Sequence, residues 1–161
     1  MRILGIDCGS KFTGYGLIES DGARHQWLES GVLATNPGDA FPLRLYSIGS
    51  RLRALVARLQ PDEAAVEDTF QSVNARSALK LTHVRGVVLF VLAEAGLRVG
   101  EYPPAQVKLA VAGNGRAPKE QVAWMIGSLL RLTTPIESAD ESDALAVAVC
   151  HATHRALGAA Q

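Results

Sequence analysis

The sequence predicts an α/β fold, a mixed five-stranded sheet with helices on both faces. Three observations carry that prediction. Short apolar runs such as Ile3–Ile6 and Ala64–Val66 have the length of buried strands. Between them lie longer stretches whose apolar residues recur at three- and four-residue steps, the period of amphipathic helices. The order is three strands, helix, strand, helix, strand and closing helices, a meander followed by β-α-β crossovers. One domain, 1–161, is long enough to bury a core.

Arg2 to Ile6 is the first strand, and it ends on Asp7. Gly9, Gly14 and Gly16 surround the return into a second strand through Thr13–Ile18, leaving room for close approach of backbone or ligand. Arg24 to Leu33 is a third strand with Trp27, Val32 and Leu33 as apolar positions, and Asn36-Pro37-Gly38-Asp39 is turn chemistry. From Phe41 to Leu59, the residues Leu45, Ile48, Leu52, Leu55, Val56 and Leu59 mark a helix with Arg44, Arg51, Arg53 and Arg58 on its wet side. Pro61 stops it. Ala64 to Glu67 is a fourth strand, ending like the first on a carboxylate.

Asn74 opens a long helix to about Glu94, with Leu81, Val84, Val88 and Val91 as one stripe. Gly86 in its middle costs about 1 kcal/mol against alanine, which close approach of another helix would justify. Leu97 to Tyr102 is the fifth strand, ended by Pro103-Pro104. Gln106 to Ala112 has room for a short helix. Pro118 sits in the first turn of a helix carrying Val122, Ile126, Leu129 and Leu130. Ser138-x-x-Glu141 reads as a capping box for the last helix, Ala139 to about Ala156.

Acids and bases balance at 16 each, so no global field announces a nucleic-acid partner. Cys8 and Cys150 stand far apart without metal-site spacing, which argues against a disulfide framework. Cys8 reads as a small buried residue, since no histidine is placed to activate it. The N-terminus enters a strand directly rather than a signal sequence, and the longest apolar run, Val87–Ala93, is too short for a membrane span. The expectation is a soluble cytoplasmic protein with no membrane partner.

Function is read from four acids. Asp7 follows Ile-Leu-Gly-Ile, where an unpartnered carboxylate costs burial free energy. If the first and fourth strands are neighbours, Asp7 and Glu67 come within one metal radius. Asp140 and Asp143 face the same way on one helical turn. Each has an ordinary reading: acids in a first turn are favoured by the helix dipole, and a strand-end glutamate needs no function. Together they point to divalent cations, with Mg²⁺ the usual choice of such oxygen-rich sites. Two such ions clamp the attacking and leaving oxygens of a phosphoryl displacement.

The neutral total hides two acid-free windows. One, between Asp68 and Glu94, holds Arg76, Lys80, His83 and Arg85; the other, between Glu101 and Glu120, holds Lys108, Arg116 and Lys119. A phosphodiester-cutting enzyme needs such cations for the backbone and carboxylates for metal. Phe70, in a polar turn three residues after Glu67, could wedge or stack against a base. The glycine turn beside Asp7 then reads as room for a DNA backbone. His151 and His154 read as dipole-favoured residues near a helix end, and His151 lies roughly 12 Å by helix rise from Asp143, too far to share a metal.

The motifs Gly5-Ile6-Asp7-x-Gly9-Ser10-x-x-Thr13-Gly14-Tyr15-Gly16, Glu67 with Phe70, Asn74-x-x-Ser77-Ala78-Leu79-Lys80-Leu81, Gly113-Asn114-Gly115-Arg116-Ala117-Pro118-Lys119 and Asp140-x-x-Asp143-Ala144-Leu145-Ala146 resemble, in this order, the RuvC family of Holliday-junction resolvases. The resemblance covers nearly the whole chain and implies a ribonuclease H-like fold. It implies catalytic acids Asp7, Glu67, Asp140 and Asp143 binding two Mg²⁺ or Mn²⁺, with Lys108 and Lys119 serving DNA binding and catalysis and Phe70 near the crossover. It also implies a homodimer that nicks two symmetric strands of a four-way junction, leaves 5′-phosphate and 3′-hydroxyl ends, and works with RuvA and RuvB. Cys8 departs from the family's usual proline. The long helix with Gly86 is the expected dimer surface. The rivals are an ATP-binding kinase- or chaperone-like lobe, for which the chain has length for one lobe only, a non-cutting junction binder, and a ribonuclease H acting on RNA–DNA hybrids.

Overall fold

Strand β1 (Arg2–Asp7) is the middle of one five-stranded sheet of order β3-β2-β1-β4-β5. It pairs antiparallel with β2 (Phe12–Ser20), which pairs antiparallel with β3 (His25–Ala34). On its other side β1 runs parallel to β4 (Glu63–Glu67), and β4 runs parallel to β5 (Arg98–Tyr102). The helices are α1 (Phe41–Leu59), α2 (Ala75–Glu94), α3 (Pro104–Ala112), α4 (Lys119–Leu129) and α5 (Ala139–Ala159). This computed structural model describes residues 1–68 and 75–159. The expected helix start at Asn74 and the expected aromatic Phe70 lie outside them.

The pleat divides the two cores. Ile3 of β1, Ile18 of β2 and Ala65 of β4 pack with Leu145, Val149 and the α3 and α4 residues Val107 and Ile126. Leu4, Ile6, Leu17, Ala64 and Val66 pack on the opposite face with Ile48 and Leu52 of α1 and Val84 and Val88 of α2. Side chains two apart share a face, so Asp7 and Glu67 point with Ile3 and Ala65 toward α5. Cys8 points the other way, into the α1–α2 core, and is 6% exposed, as its sequence context predicts.

The glycines of the opening strands admit the close approach of backbone that was expected, and the backbone is that of α5. A Cβ at Gly5 would stand 2.1 Å from the Ala144 carbonyl oxygen, and one at Gly14 would stand 2.0 Å from that of Asp140. At Gly16 it would meet Leu145 at 2.6 Å. The space is filled by α5 lying flush on the sheet, not held open for a DNA backbone. That contact carries the N-terminal turn of α5 to the strand ends.

Other local readings are corrected by tertiary contacts. The reciprocal capping box does not form: the Ser138 hydroxyl is 3.5 Å from Asp140 Oδ2, and the Glu141 carboxylate instead accepts from Ser30 Oγ of β3. Prolines at 103 and 118 are N-caps, with extended ψ values of 150° and 155°, so α3 starts two residues earlier than expected, at Pro104. Gly86 is exposed and has nothing within 4 Å, so no helix among the described residues packs on it. No helix among them is long and apolar enough to cross a membrane.

Candidate active site

Register places the first two acids. Ile6 pairs with Val66 across the parallel β1–β4 ladder, so Asp7 and Glu67 are the next residues of adjacent strands and face the same layer. Asp140 and Asp143 reach that layer from above because α5 rests on Gly5 and Gly14. The four sequence-predicted acids therefore come from three separate parts of the chain, β1, β4 and α5, to one end of the sheet.

Their electrostatics record the crowding. Asp7 is raised from 3.8 to about 8, first by burial and then by the charges of Glu67, Asp143 and Asp140. Glu67 is also raised, by burial and by Asp143, while Lys119 and Lys108 pull it back. Lys119 Nζ donates to Asp143 Oδ2 at 2.9 Å, and that carboxylate raises the ammonium's own pKa. A cleft of about 210 Å³ opens here, lined by Glu67, Lys108, Lys119 and Asp143 with Pro104 and Val122 among its apolar walls. Beside it, the Cys8 thiol is pushed up to about 12 by burial and by Asp7, which leaves it inert at neutral pH.

The donor set fits a hard divalent cation. All four groups are carboxylates, the ligands Mg²⁺ and Mn²⁺ favour, and a carboxyl whose pKa is raised by burial and like charge, as that of Asp7 is, gains most from a cation. Among the described residues no three His, Cys, Asp or Glu side chains are already closed into a metal cage.

The cations divide. Lys108 and Lys119 are at the acids, Lys108 from α3 and Lys119 from the first turn of α4. Arg116 is exposed in the loop between those helices, and Arg76 and Lys80 are exposed on the first turns of α2, with the Lys80 ammonium 5.6 Å from the Phe41 ring. Arg85 of the same acid-free window turns inward, to Glu101 of β5 and, at 3.4 Å, to Asp68. Glu101 and Asp68 bound the two windows in sequence, so the ion pair was hidden by reading each window alone.

A mixed sheet of this order, with acids at its central strand ends and a helix delivering more, defines the ribonuclease H-like class of fold. The model of the crossover junction endodeoxyribonuclease RuvC family matches residues 3–151. Proteins of that name from Pelobacter propionicus and Geobacter metallireducens are 50% and 51% identical over 94% of this chain, covering 85% and 92% of their own lengths. Thermus thermophilus RuvC, in complex with a Holliday junction substrate, superposes with a TM-score of 0.93 at 35% identity over 98% of this chain and 96% of that one. The yeast mitochondrial Holliday junction resolvase Ydc2, at 12% identity and a TM-score of 0.69, shares the fold. The chain belongs to the RuvC family.

Proposed function

We propose that this chain is a metal-dependent endonuclease that resolves Holliday junctions in DNA recombination and repair. One observation carries the site assignment: Asp7, Glu67, Asp140 and Asp143 converge on one end of the sheet, with Asp7 raised to about 8 by burial and the other three. Such an arrangement is costly to the folded protein and is useful when cations and phosphate meet there. Family membership carries the substrate.

Asp7, Glu67, Asp140 and Asp143 would hold Mg²⁺ or Mn²⁺, two ions per site. When bound, these ions supply Lewis-acid stabilisation of the phosphate and a more acidic water. The chain's own residues do the rest. Lys119 donates to Asp143 and leaves its remaining protons for a phosphate oxygen. Lys108 flanks Glu67 from the other wall of the cleft. Arg116, Arg76 and Lys80 lie on exposed surface where junction arms would run, and contact backbone phosphate rather than bases. Phe70 would stack near the crossover. The products carry 5′-phosphate and 3′-hydroxyl ends.

Paired nicking asks for two sites related by a twofold axis. The α2 residues Leu79, His83, Gly86 and Phe90 follow four-, three- and four-residue steps, and Leu79 and Phe90 are each 61% exposed. That stripe is the surface for a second copy. By family resemblance the dimer works in the cytoplasm with RuvA and RuvB. The test is cleavage of a synthetic four-way junction and of an RNA–DNA hybrid in one tube with Mg²⁺ or Mn²⁺. Symmetric nicks in the junction are expected; preferential hybrid cutting would replace this reading with a ribonuclease H activity.

A further inference from the structure

The second half of α5 carries a buried polar chain that the site does not use. His151 is 3% exposed and lies on Gly100 of β5, where a Cβ would stand 2.4 Å from the imidazole Nδ1. Only glycine admits the ring there. Nε2 is 2.8 Å from Glu63 Oε2, and Nδ1 is 2.8 Å from the Tyr102 hydroxyl. A carboxylate only accepts, so Nε2 carries the proton donated to Glu63; in the neutral ring Nδ1 accepts from Tyr102. Arg98 and Arg155, each 3.2 Å from Glu63, close the chain on its outer side. His151 and His154 are thus interior contacts of α5, not the dipole-favoured helix-end residues expected from sequence.

The inner end of this chain is the corner where β5 becomes α3. Tyr102 is the register partner of Glu67, and its carbonyl accepts the Asp68 N–H at 2.7 Å. The next residue, Pro103, caps α3, the helix that brings Lys108 to the cleft. His154 grips the same corner: its Nε2 is 2.7 Å from Gln106 Nε2 of α3, and its ring centroid is 5.1 Å from that of Tyr102. One helix thus carries acids at its first turns and a hold on the opposite cleft wall two turns later.

We propose that His151 and Tyr102 are positioning residues for strand cleavage: the imidazole, braced by Glu63, holds Tyr102, and Tyr102 sets where α3 presents Lys108 to Glu67. Neither touches substrate. The proposal rests on the reading of Lys108 as a working part of the cleft.

The test is a double-mutant cycle on single-turnover junction cleavage, with junction affinity and melting temperature measured alongside. Tyr102→Phe keeps the ring and removes the hydroxyl. It is expected to slow cleavage about tenfold with affinity unchanged within about twofold, because misplacement of a catalytic group costs rate rather than binding. In a Lys108→Ala background the same change should cost less than about twofold, since coupled residues are not additive. An unchanged rate for Tyr102→Phe, or losses that multiply in the double variant, overturns the proposal. Full cleavage by Lys108→Ala alone would instead overturn the reading of α3 on which it rests.

Discussion

Strand β4 has a glutamate at each end, and α5 runs back along it with a residue opposite each. At one end Glu63 is 6% exposed and meets His151, Arg98 and Arg155. At the other end, four residues on, Glu67 meets Asp7 and Asp143, and among the described residues the charges of Lys119 and Lys108 relieve it. The spacing matches: four strand residues and eight helix residues both span about 12–13 Å. The same strand, helix and residue type therefore produce a satisfied ion cluster and an unsatisfied one. Burial of a carboxylate is tolerable where donors surround it, and the end with fewer of them is the end proposed to take cations.

The sharpest way to break this contrast is to neutralise one glutamate at a time. Glu67→Gln is expected to lower junction cleavage by a factor of about 10³ or more without lowering the melting temperature of the metal-free protein, as removing a group that acts on the transition state does. Cleavage assays and melting curves on the same preparation check both halves. Retained activity would mean that the crowded end is not the active end.

The pH dependence of stability follows from Asp7. Its folded value, about 8, lies above the ordinary 3.8, so its contribution is fully present below 3.8 and is lost as pH rises through about 8. In chelator, stability should fall across that window by up to about 1.4 kcal/mol per pH unit from this group. Asp7→Asn should flatten the slope, and Mn²⁺ should oppose it in the unaltered protein. Urea unfolding at stepped pH measures the effect, and a slope unchanged by Asp7→Asn would refute it.

Lys119→Ala removes the cation from Asp143 and should cost about 10–100-fold in cleavage rate, with the acidic limb of the pH–rate profile moving upward because the lysine no longer lowers Asp7. Glu63→Gln should cost about 2 kcal/mol, the scale of leaving buried donors short of an acceptor, and lower the melting temperature by roughly 4–8 °C. A Glu63→Gln variant as stable as the parent would erase the contrast between the two ends. The smallest effect is Cys8→Ala. It lies under Asp7 but faces the other core, so cleavage should stay within about twofold while stability falls by about 1 kcal/mol.

Much of this was legible in order along the chain. The limits of α1 and the end of α2 agree with the apolar periodicity, and Asp7 and Glu67 stand at strand ends as the short apolar runs imply. Glu63 was not singled out, because an acid at the start of a strand resembles any surface acid until His151 is brought against it from 88 residues away. The capping box failed for a similar reason: Ser30 of β3 competes for Glu141, and nothing local to residues 138–141 reveals that partner.

The sequence by itself determined the fold class and the family, and it singled out the four acids proposed for the site, because strand length, helix period and motif content can be read along the chain. Only the tertiary structure decided what the glycines are for and which buried acids have partners. Both depend on α5 lying against β1, β2 and β4, a contact between elements far apart in the sequence whose closeness is set by backbone sterics. Local periodicity identifies the face an element buries, but not the atom it meets there.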